Sequence, residues 1–281
     1  MRSPMTKKQT KVAMNALPFN KLCNLEDFRH RDLGGFINEM YPDHVGQPIR
    51  EHRKHWETAM IARAVHEFCP RAAGSDRYLG VGAGMERSVF FLTLMGTVHA
   101  TDLYGGAGMW SNVAPQKMLL DPISCAPTGY AWEPDKLIVQ HMDARALRYP
   151  DNYFDAVFSS SSIEHFGSLA DVAQAMREMN RVLKPGGIIA LATEFSIDPK
   201  PIDKHGWPGV IIFDRNTIEE FVIEPSGCVL VDELDLSVSE ASRATNVTLI
   251  EAMKTNPLPH VVLNHEGYTF TSVSLVMRKP E

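Results

Sequence analysis

The sequence lacks the features that mark membrane, secreted and nucleic-acid-binding proteins. It has 281 residues and a net charge of −6, so it has no overall basic excess of the kind that phosphate binding favours. No run of about 18 apolar residues occurs, which predicts that no segment spans a membrane. The basic N-terminus is not followed by an apolar run, so we expect no signal peptide and a cytoplasmic protein. These absences favour a small-molecule partner over nucleic acid, and they leave the oligomeric state open.

Cysteine is also scarce, which limits the kinds of site the chain can build. The four cysteines are scattered and form no C-x-x-C pair, so neither a disulfide framework nor a cysteine-based zinc site is expected. His52 and His55 have a spacing that could hold a metal ion on a helix, but the sequence places no carboxylate beside them. We therefore interpret them as part of a solvated, charged helix face and predict no metal site.

Apolar runs that alternate with helix-like segments indicate the fold class from residue 76 onward. This alternation is typical of βαβ units. We predict an α/β protein: a single Rossmann-like domain with a seven-stranded, mostly parallel sheet, an antiparallel last strand, helices on both faces and an N-terminal helical extension. The strand candidates are 77–83, 97–104, 136–143, 154–160, 187–195, 228–236 and 268–277, and the helix candidates between them are 85–95, 168–183 and 215–224.

Composition divides the chain into three parts, and two long connections interrupt the last of them. These connections, 105–135 and 196–213, are rich in proline and glycine. Each follows a strand candidate, so we expect both at the carboxyl edge of the sheet, where α/β proteins bind ligands. The predicted parts are a flexible arm over 1–20, a helical extension over 21–72 with helices at 26–40 and 50–68, and the α/β domain over 73–281.

The segment YLGVGAGME, residues 78–86, holds three glycines in five positions. It follows a strand candidate and precedes a helix candidate, and glycine lets a backbone turn sharply and approach a ligand closely. A purely structural turn is the alternative for the glycines taken alone. Asp102 ends the next strand candidate, where an acid can accept hydrogen bonds from both ribose hydroxyls. Together the two features favour a nucleoside ligand.

Two nucleoside cofactors fit this pattern. A dinucleotide motif G-x-G-x-x-G would need its third glycine where the sequence has Arg87. S-adenosylmethionine carries no phosphate and does not require that glycine. Asp143 ends the third strand candidate and is placed to bind the adenine amine. We therefore favour S-adenosylmethionine, and we keep a nicotinamide-dependent oxidoreductase as an alternative.

The segment after the fourth strand candidate holds residues that could act on a substrate. His165 titrates near neutral pH, which suits a general base that removes a proton from a hydroxyl or an amine. Methyl transfer from a sulfonium gains much of its rate from orientation, so a base is not obligatory. Ser161 with Glu164, and Asn216 with Glu219, have the spacing of capping boxes and are interpreted as structural. Candidate substrate walls are Trp110 after the second strand candidate and Glu194, His205 and Trp207 around the end of the fifth, with packed loop aromatics and polar turn residues as the alternative.

Five motifs in order resemble the class I S-adenosylmethionine-dependent methyltransferases, in the small-molecule subgroup typified by ubiquinone-biosynthesis enzymes. They are YLGVGAGME, ATDLY, HMDARAL, FDAVFSSSSIEHF and EMNRVLKPGGIIAL, and the resemblance covers residues 76–195. It implies methyl transfer to an oxygen or nitrogen of a small-molecule or glycan-linked acceptor. A fainter resemblance to bacterial methyltransferases associated with glycan assembly suggests a sugar. The implied cofactor-binding residues are Gly80, Gly82, Ala83, Gly84, Glu86, Asp102, Leu103, Asp143, Ala144 and Ser159, and the implied catalytic residue is His165.

Two positions depart from the family's pattern. Gly80 stands where the family usually has an acid, and Glu86 stands where it usually has a glycine. The acid normally helps to hold the methionine end of the cofactor, so we expect Glu86 to meet the cofactor's amino group instead. A non-catalytic nucleoside-binding or scaffold protein of the same fold is the second alternative, and Gly80 is the feature that favours it.

Overall fold

A central sheet organises the part of the chain that the computed structural model describes, residues 16–42, 51–69, 75–106, 112–129, 131–198 and 205–281. Its ten strands run in the order β4-β3-β2-β5-β6-β10-β9-β8, and β1 and β7 also pair with β10. The strands are β1 Lys21–Leu22, β2 Arg77–Val81, β3 Thr97–Asp102, β4 Leu137–His141, β5 Phe154–Ser160, β6 Leu183–Ser196, β7 Val229–Leu230, β8 Val247–Thr248, β9 Leu263–His265 and β10 Tyr268–Arg278.

Helices surround this sheet, most of them short. The long ones have the apolar spacing of a buried face; in α5, for example, Val172, Met176 and Met179 are fully buried. The helices are α1 Arg31–Met40, α2 Arg53–Phe68, α3 Arg87–Phe91, α4 Lys117–Leu120, α5 Leu169–Val182, α6 Arg215–Ile218, α7 Glu224–Ser226, α8 Glu240–Arg243 and α9 Leu249–Thr255; a π-helical turn, Glu219–Ile223, joins α6 to α7. None of the helices described is long and apolar enough to cross a membrane.

Strands β2 to β6 are all parallel, as the alternation of strands and helices predicted. Both faces of such a sheet are covered, and accordingly almost every residue of β2 and β5 is buried, on both faces of the sheet. In the register, Gly80 lies beside Ala100 of β3 and Phe158 of β5. Because the strands are parallel, Val81, Asp102 and Ser160 end at the same edge of the sheet.

The last strand, β10, runs antiparallel to β6, with Val273 opposite Thr193. The predicted α/β class, the mostly parallel sheet and the antiparallel last strand are therefore confirmed. The prediction of seven strands was too low, because β1, β8 and β9 have only two or three residues each and leave no periodicity in the sequence.

Local capping differs from the prediction at two places. Helix α6 is capped by Asp214, whose side chain accepts from the backbone N–H of Thr217, and not by the predicted Asn216–Glu219 pair. Helix α5 begins with a capping box of Ser168 and Asp171. In both cases several residues with capping side chains lie close together. The spacing of a capping box fits more than one of them, so spacing alone did not identify the residue that caps the helix.

The residues before the α/β domain pack onto the sheet. Helix α2 lies against β6 and β10, and Trp56 within it is fully buried and donates from Nε1 to Asp27, at 2.9 Å. Asn20 is also buried, and its side chain donates to Asp232. Residues 1–15, most of the predicted arm, lie outside the described residues.

Candidate active site

A cavity of about 630 Å³ opens at the carboxyl ends of the parallel strands. This is the position at which doubly wound sheets bind ligands, and the volume suits a small molecule. Of the residues implied as cofactor-binding or catalytic, eight line it: Gly82, Gly84, Glu86, Asp102, Leu103, Asp143, Ala144 and His165. The two long connections contribute Gly106, Val113, Ala114, Trp207 and Val210.

The glycine turn is required by the chain's own packing. Gly82 and Gly84 have φ angles of +61° and +48°, a left-handed conformation that glycine adopts without strain. A Cβ on Gly82 would lie 2.6 Å from the Cβ of Ser162, and one on Gly84 would lie 2.7 Å from the carbonyl oxygen of Val113. The turn therefore packs tightly between the segment after β5 and the first long connection, and neither glycine has room for a side chain.

Asp102 lies at the end of β3, directly beside this turn. Its Oδ2 accepts from the backbone N–H of Gly84 at 2.8 Å, and its Oδ1 accepts from the N–H of Leu103 at 2.7 Å. Burial raises the pKa of the carboxyl, and these two hydrogen bonds oppose that shift. Each carboxylate oxygen can accept more than one hydrogen bond, so the two ribose hydroxyls of a nucleoside could be accommodated.

Asp143 lies after β4 and is held by an arginine that sequence reasoning missed. The guanidinium of Arg145 donates to both carboxylate oxygens, at 3.0 Å from Nε and 2.7 Å from Nη2, and also to Asp171 of α5. The Arg145 hydrogen bonds lower the pKa of Asp143, which keeps it an acceptor. The signal was the short sequence Asp-Ala-Arg, in which an arginine two residues on can fold back onto the acid.

Glu86 lines the cavity, and its side-chain carboxylate has no hydrogen bond or ion pair to another described residue, whereas its backbone N–H donates to the carbonyl of Ala83. Burial raises the pKa of its carboxyl to about 7, and the nearby Lys54 opposes this shift. Arg87, which follows it, points the other way: its guanidinium donates to the carbonyl of Met40 and lies over the ring of Tyr41, 4.4 Å from the ring centre. Arg87 is not among the residues that line the cavity.

Three implied cofactor residues lie behind the cavity wall. Ala83 and Ser159 are almost fully buried, and Ser160 lines the cavity where Ser159 was expected. A Cβ on Gly80 would lie 2.8 Å from the ring of Phe158. The acid that the family usually has at this position is therefore excluded by Phe158, which fills the space.

The turn after β5 is held in an unusual conformation by other elements. Ser161 has a φ of +46°, which strains a residue with a side chain, and its Oγ donates to Glu57 of α2 at 2.6 Å. Ser162 donates to the carbonyl of Gly82 at 2.5 Å. The predicted capping box of Ser161 and Glu164 is not formed, because both side chains are bound elsewhere.

His165 is oriented by the second long connection. Its Nδ1 lies 2.8 Å from the carbonyl oxygen of Gly209, and a carbonyl can only accept, so Nδ1 carries the proton. In the neutral ring, Nε2 is then the basic atom. Burial lowers the pKa of His165, so the ring is neutral at physiological pH. These are the properties that a general base requires.

A buried charge cluster, formed by Arg53, Lys54, Glu57, Glu164 and Glu194, lies beside His165. Nη1 of Arg53 is 2.8 Å from both carboxylate oxygens of Glu194 and 3.1 Å from Glu57. Arg53 and Glu57 are buried, so the interpretation of this stretch as a solvated helix face was wrong. No local pattern in the sequence predicts the cluster, because its members come from α2, from the turn after β5 and from β6.

Two carboxylates of this cluster, Glu164 after β5 and Glu194 in β6, differ in protonation. Burial would raise the pKa of Glu194, but Arg53 and Lys54 outweigh it and lower the pKa to about 2. Burial and the charge of Glu194 together raise the pKa of Glu164 to about 8, so this acid is mostly neutral at pH 7. One oxygen of Glu164 accepts from Thr193 at 2.7 Å, and the other, Oε1, has no hydrogen-bond partner among the described residues.

The other candidates have structural contacts or lie elsewhere. The His52 ring stacks on His260 with 4.1 Å between centroids, and the His55 ring stacks on Tyr41 at 3.8 Å. Within the described ranges, no group of three or more His, Cys, Asp or Glu residues could hold a metal ion. Trp110 lies outside the described residues.

Comparisons with known proteins identify a family for part of the chain. Residues 79–191 match the family model described as a methyltransferase domain. The chain is 26% identical over 158 residues to 27-O-demethylrifamycin SV methyltransferase of Amycolatopsis mediterranei, which is 53% of each chain. It is 41% identical over 68 residues to a ubiquinone/menaquinone biosynthesis C-methyltransferase of Hahella chejuensis, 24% of this chain and 26% of the other. The alignments thus span about half or less of these relatives.

The fold as a whole also has a counterpart among solved structures. The crystal structure of the cyclase SpnF aligns with a TM-score of 0.52 at 19% identity, covering 93% of this chain and 98% of that one. This likeness concerns the fold alone. Residues 79–191 are thus a methyltransferase domain, and the predicted class, the S-adenosylmethionine-dependent methyltransferases of class I, is confirmed with its cofactor at the level of this domain.

Proposed function

We propose that the protein transfers a methyl group from S-adenosylmethionine to an oxygen or nitrogen of a small-molecule or glycan-linked acceptor. One observation carries the proposal: a single cavity holds the glycine turn with Asp102 and Asp143, and also His165 with a wall of apolar side chains. The acidic net charge and the scattered cysteines support a cytoplasmic protein whose partner is not nucleic acid.

Four of the seven implied cofactor residues in the cavity can then be given a role in binding. Asp102 accepts from the ribose hydroxyls, since both of its oxygens are acceptors held in place by backbone N–H groups. Asp143 and Ala144 bind the adenine edge, and Arg145 keeps Asp143 ionised and oriented. Glu86 meets the amino group of the methionine part, which would supply the partner that its carboxylate lacks among the described residues.

The proposed chemistry needs one proton acceptor and good alignment. Bound S-adenosylmethionine would supply an electrophilic methyl group on a sulfonium sulfur. Nε2 of His165 takes the proton of the acceptor hydroxyl or amine as the new bond to the methyl carbon forms and the bond from that carbon to sulfur breaks. The hydrogen bond from Nδ1 to Gly209 fixes the ring orientation, which contributes to alignment.

The sequence alone does not exclude the alternative function, a nicotinamide-dependent oxidoreductase. The guanidinium of Arg87 donates to the carbonyl of Met40 in α1 and so points away from the glycine turn, which means that an arginine at the third-glycine position does not by itself exclude a dinucleotide. A dinucleotide also needs space for a second nucleotide, and a titration with NADH decides the question directly.

The test is calorimetric titration of the full-length protein with S-adenosylmethionine, with S-adenosylhomocysteine and with NADH. We expect binding of the first two at about micromolar affinity and no binding of NADH. Asp102→Ala should weaken binding by about a hundredfold, since two hydrogen bonds to a charged group are lost. Asp135→Ala, at an exposed acid outside the cavity, is the matched control and should bind as the natural protein does. Binding of NADH in place of the methionine derivatives would refute the proposal.

A further inference from the structure

The part of the cavity lined by Trp207 and Phe270, away from the glycine turn, is largely apolar, and we call it the acceptor side. Trp207 lies with its ring centroid 5.8 Å from that of Phe270 and is tilted against it. A glycan would need many hydrogen-bonding partners on such a wall, whereas a flat apolar molecule needs contact area. The apolar side chains on this side are Phe166, Trp207, Val210, Leu249, Met253 and Phe270.

The charged groups on this side neutralise one another. Arg53 is paired with Glu194 and Glu57, and the ammonium group of Lys54 lies 3.2 Å from Glu194. With Glu164 neutral, the buried charge cluster holds two positive and two negative side chains. A cationic acceptor would call for an uncompensated carboxylate here, and an anionic one would call for an uncompensated cation. The described residues on this side offer neither.

Glu164 is the polar group that this arrangement leaves without a full set of hydrogen bonds. Its Oε2 accepts from Thr193, and its buried Oε1 has no partner among the described residues. Burial raises the pKa of the acid to about 8, so at pH 7 it carries a proton that it can donate. A buried donor without a partner costs free energy, and a ligand oxygen that accepts from it recovers that cost.

The mouth of the cavity is apolar as well. Helix α9 places Leu249 and Met253 in the lining, and Met253 is 80% exposed. Ile250 on the same helix is also exposed. Exposed apolar side chains at the opening of a cavity are typical of a surface that meets an apolar ligand.

We propose that the acceptor is an uncharged, largely apolar molecule that presents one hydroxyl group, with its body against the wall formed by Trp207 and Phe270 and its oxygen at Glu164 and His165. This inference rests on the proposed function and narrows it to oxygen methylation of an apolar alcohol or phenol. The hydroxyl proton passes to Nε2 of His165, the oxygen–carbon bond forms, and the sulfur–carbon bond breaks.

The test uses the protein saturated with S-adenosylhomocysteine and four probes that differ in charge or polarity: naphthol is neutral and apolar, tyramine is a cation, hydroxybenzoate is an anion and methyl glucoside is a neutral sugar. Calorimetry should show naphthol binding at least about tenfold more tightly than each of the others. Tighter binding of the cationic, anionic or sugar probe would overturn the inference and leave the proposed function standing. Failure of S-adenosylhomocysteine itself to bind would refute the proposed function, and the inference with it.

Two pairs of variants test whether naphthol binds at Met253 and Glu164. Met253→Lys should weaken naphthol binding by about tenfold, whereas Leu120→Lys on α4, at a side chain that is 77% exposed and outside the cavity, should leave it unchanged. Glu164→Gln keeps a neutral donor and should retain binding, while Glu164→Leu should lose it. Equal effects within either pair would contradict the proposed placement of the acceptor.

Discussion

The two sides of the cavity differ in how their charged side chains are paired. On the cofactor side, Asp102 and Glu86 keep carboxylate oxygens available for a ligand, and the backbone of the glycine turn supplies the shape. On the acceptor side, Arg53 and Glu194 bind each other, and Glu164 is neutral at pH 7. In the proposed function, one cavity would thus bind a cofactor that carries an ammonium and a sulfonium group at one end and an uncharged acceptor at the other.

The largest effect on stability should come from removing the charge of Arg53, on the acceptor side. Arg53→Met leaves Glu194 and Glu57 buried without their main partner, and we expect the free energy of unfolding to fall by about 3–5 kcal/mol. Urea denaturation measures this change. Arg215→Met, which removes an exposed ion pair with Glu219, should cost at most about 0.5 kcal/mol. Similar losses in both variants would show that the buried charge cluster is not held by Arg53.

A somewhat smaller effect should come from the backbone of the cofactor side. Gly84→Ala combines a positive φ with a contact of 2.7 Å to the carbonyl of Val113, and we expect a loss of about 2–4 kcal/mol. Gly129→Ala also has a positive φ but meets nothing within 4 Å, so it should cost only about 1–2 kcal/mol. Thermal and urea unfolding of the two variants separate the steric contact from the backbone strain. Equal losses would mean that the turn has room to move away from Val113.

At His165 the two sides meet, and its removal should affect rate more than binding. His165→Gln should lower kcat by about a hundredfold with little change in KM for the acceptor, because the base is lost while the walls remain. The pH profile of kcat/KM should have its acid limb below the ordinary histidine value of about 6.5, since burial lowers the pKa of His165 and the protonated ring cannot accept a proton.

The control for this prediction is His66→Gln, at an exposed histidine of α2. It should keep the natural rate and the same pH profile. An unchanged rate in His165→Gln would assign methyl transfer to orientation alone and leave His165 as a positioning residue.

The smallest effect should be the pH dependence of cofactor binding through Glu86. Burial raises the pKa of Glu86 to about 7, so the carboxylate that we propose to bind the amino group is mostly protonated at pH 6 and mostly ionised above pH 7. The affinity for S-adenosylhomocysteine should therefore rise up to about tenfold between these conditions. Glu86→Gln should abolish the rise. The same rise in affinity in the Glu86→Gln variant would mean that a group other than Glu86 titrates in this pH range.

The two sides also differ in how far the sequence predicted them. Gly82, Gly84 and Asp102 belong to one βαβ unit, and the spacing within such a unit follows from its geometry, so local patterns were sufficient. The buried charge cluster joins Arg53 to Glu194 and Ser272, which lie 141 and 219 residues further along the chain. No local pattern specifies that contact. The same limit explains why Ser161 and Glu164 were interpreted as a capping box.

The most direct test of the central claim is a crystal structure of the protein with S-adenosylhomocysteine bound. The account predicts ribose hydroxyls within hydrogen-bond distance of Asp102, the amino group at Glu86, and the sulfur facing the acceptor side at His165. A nucleoside bound outside this cavity, or bound in it without contact to Asp102, would contradict the account.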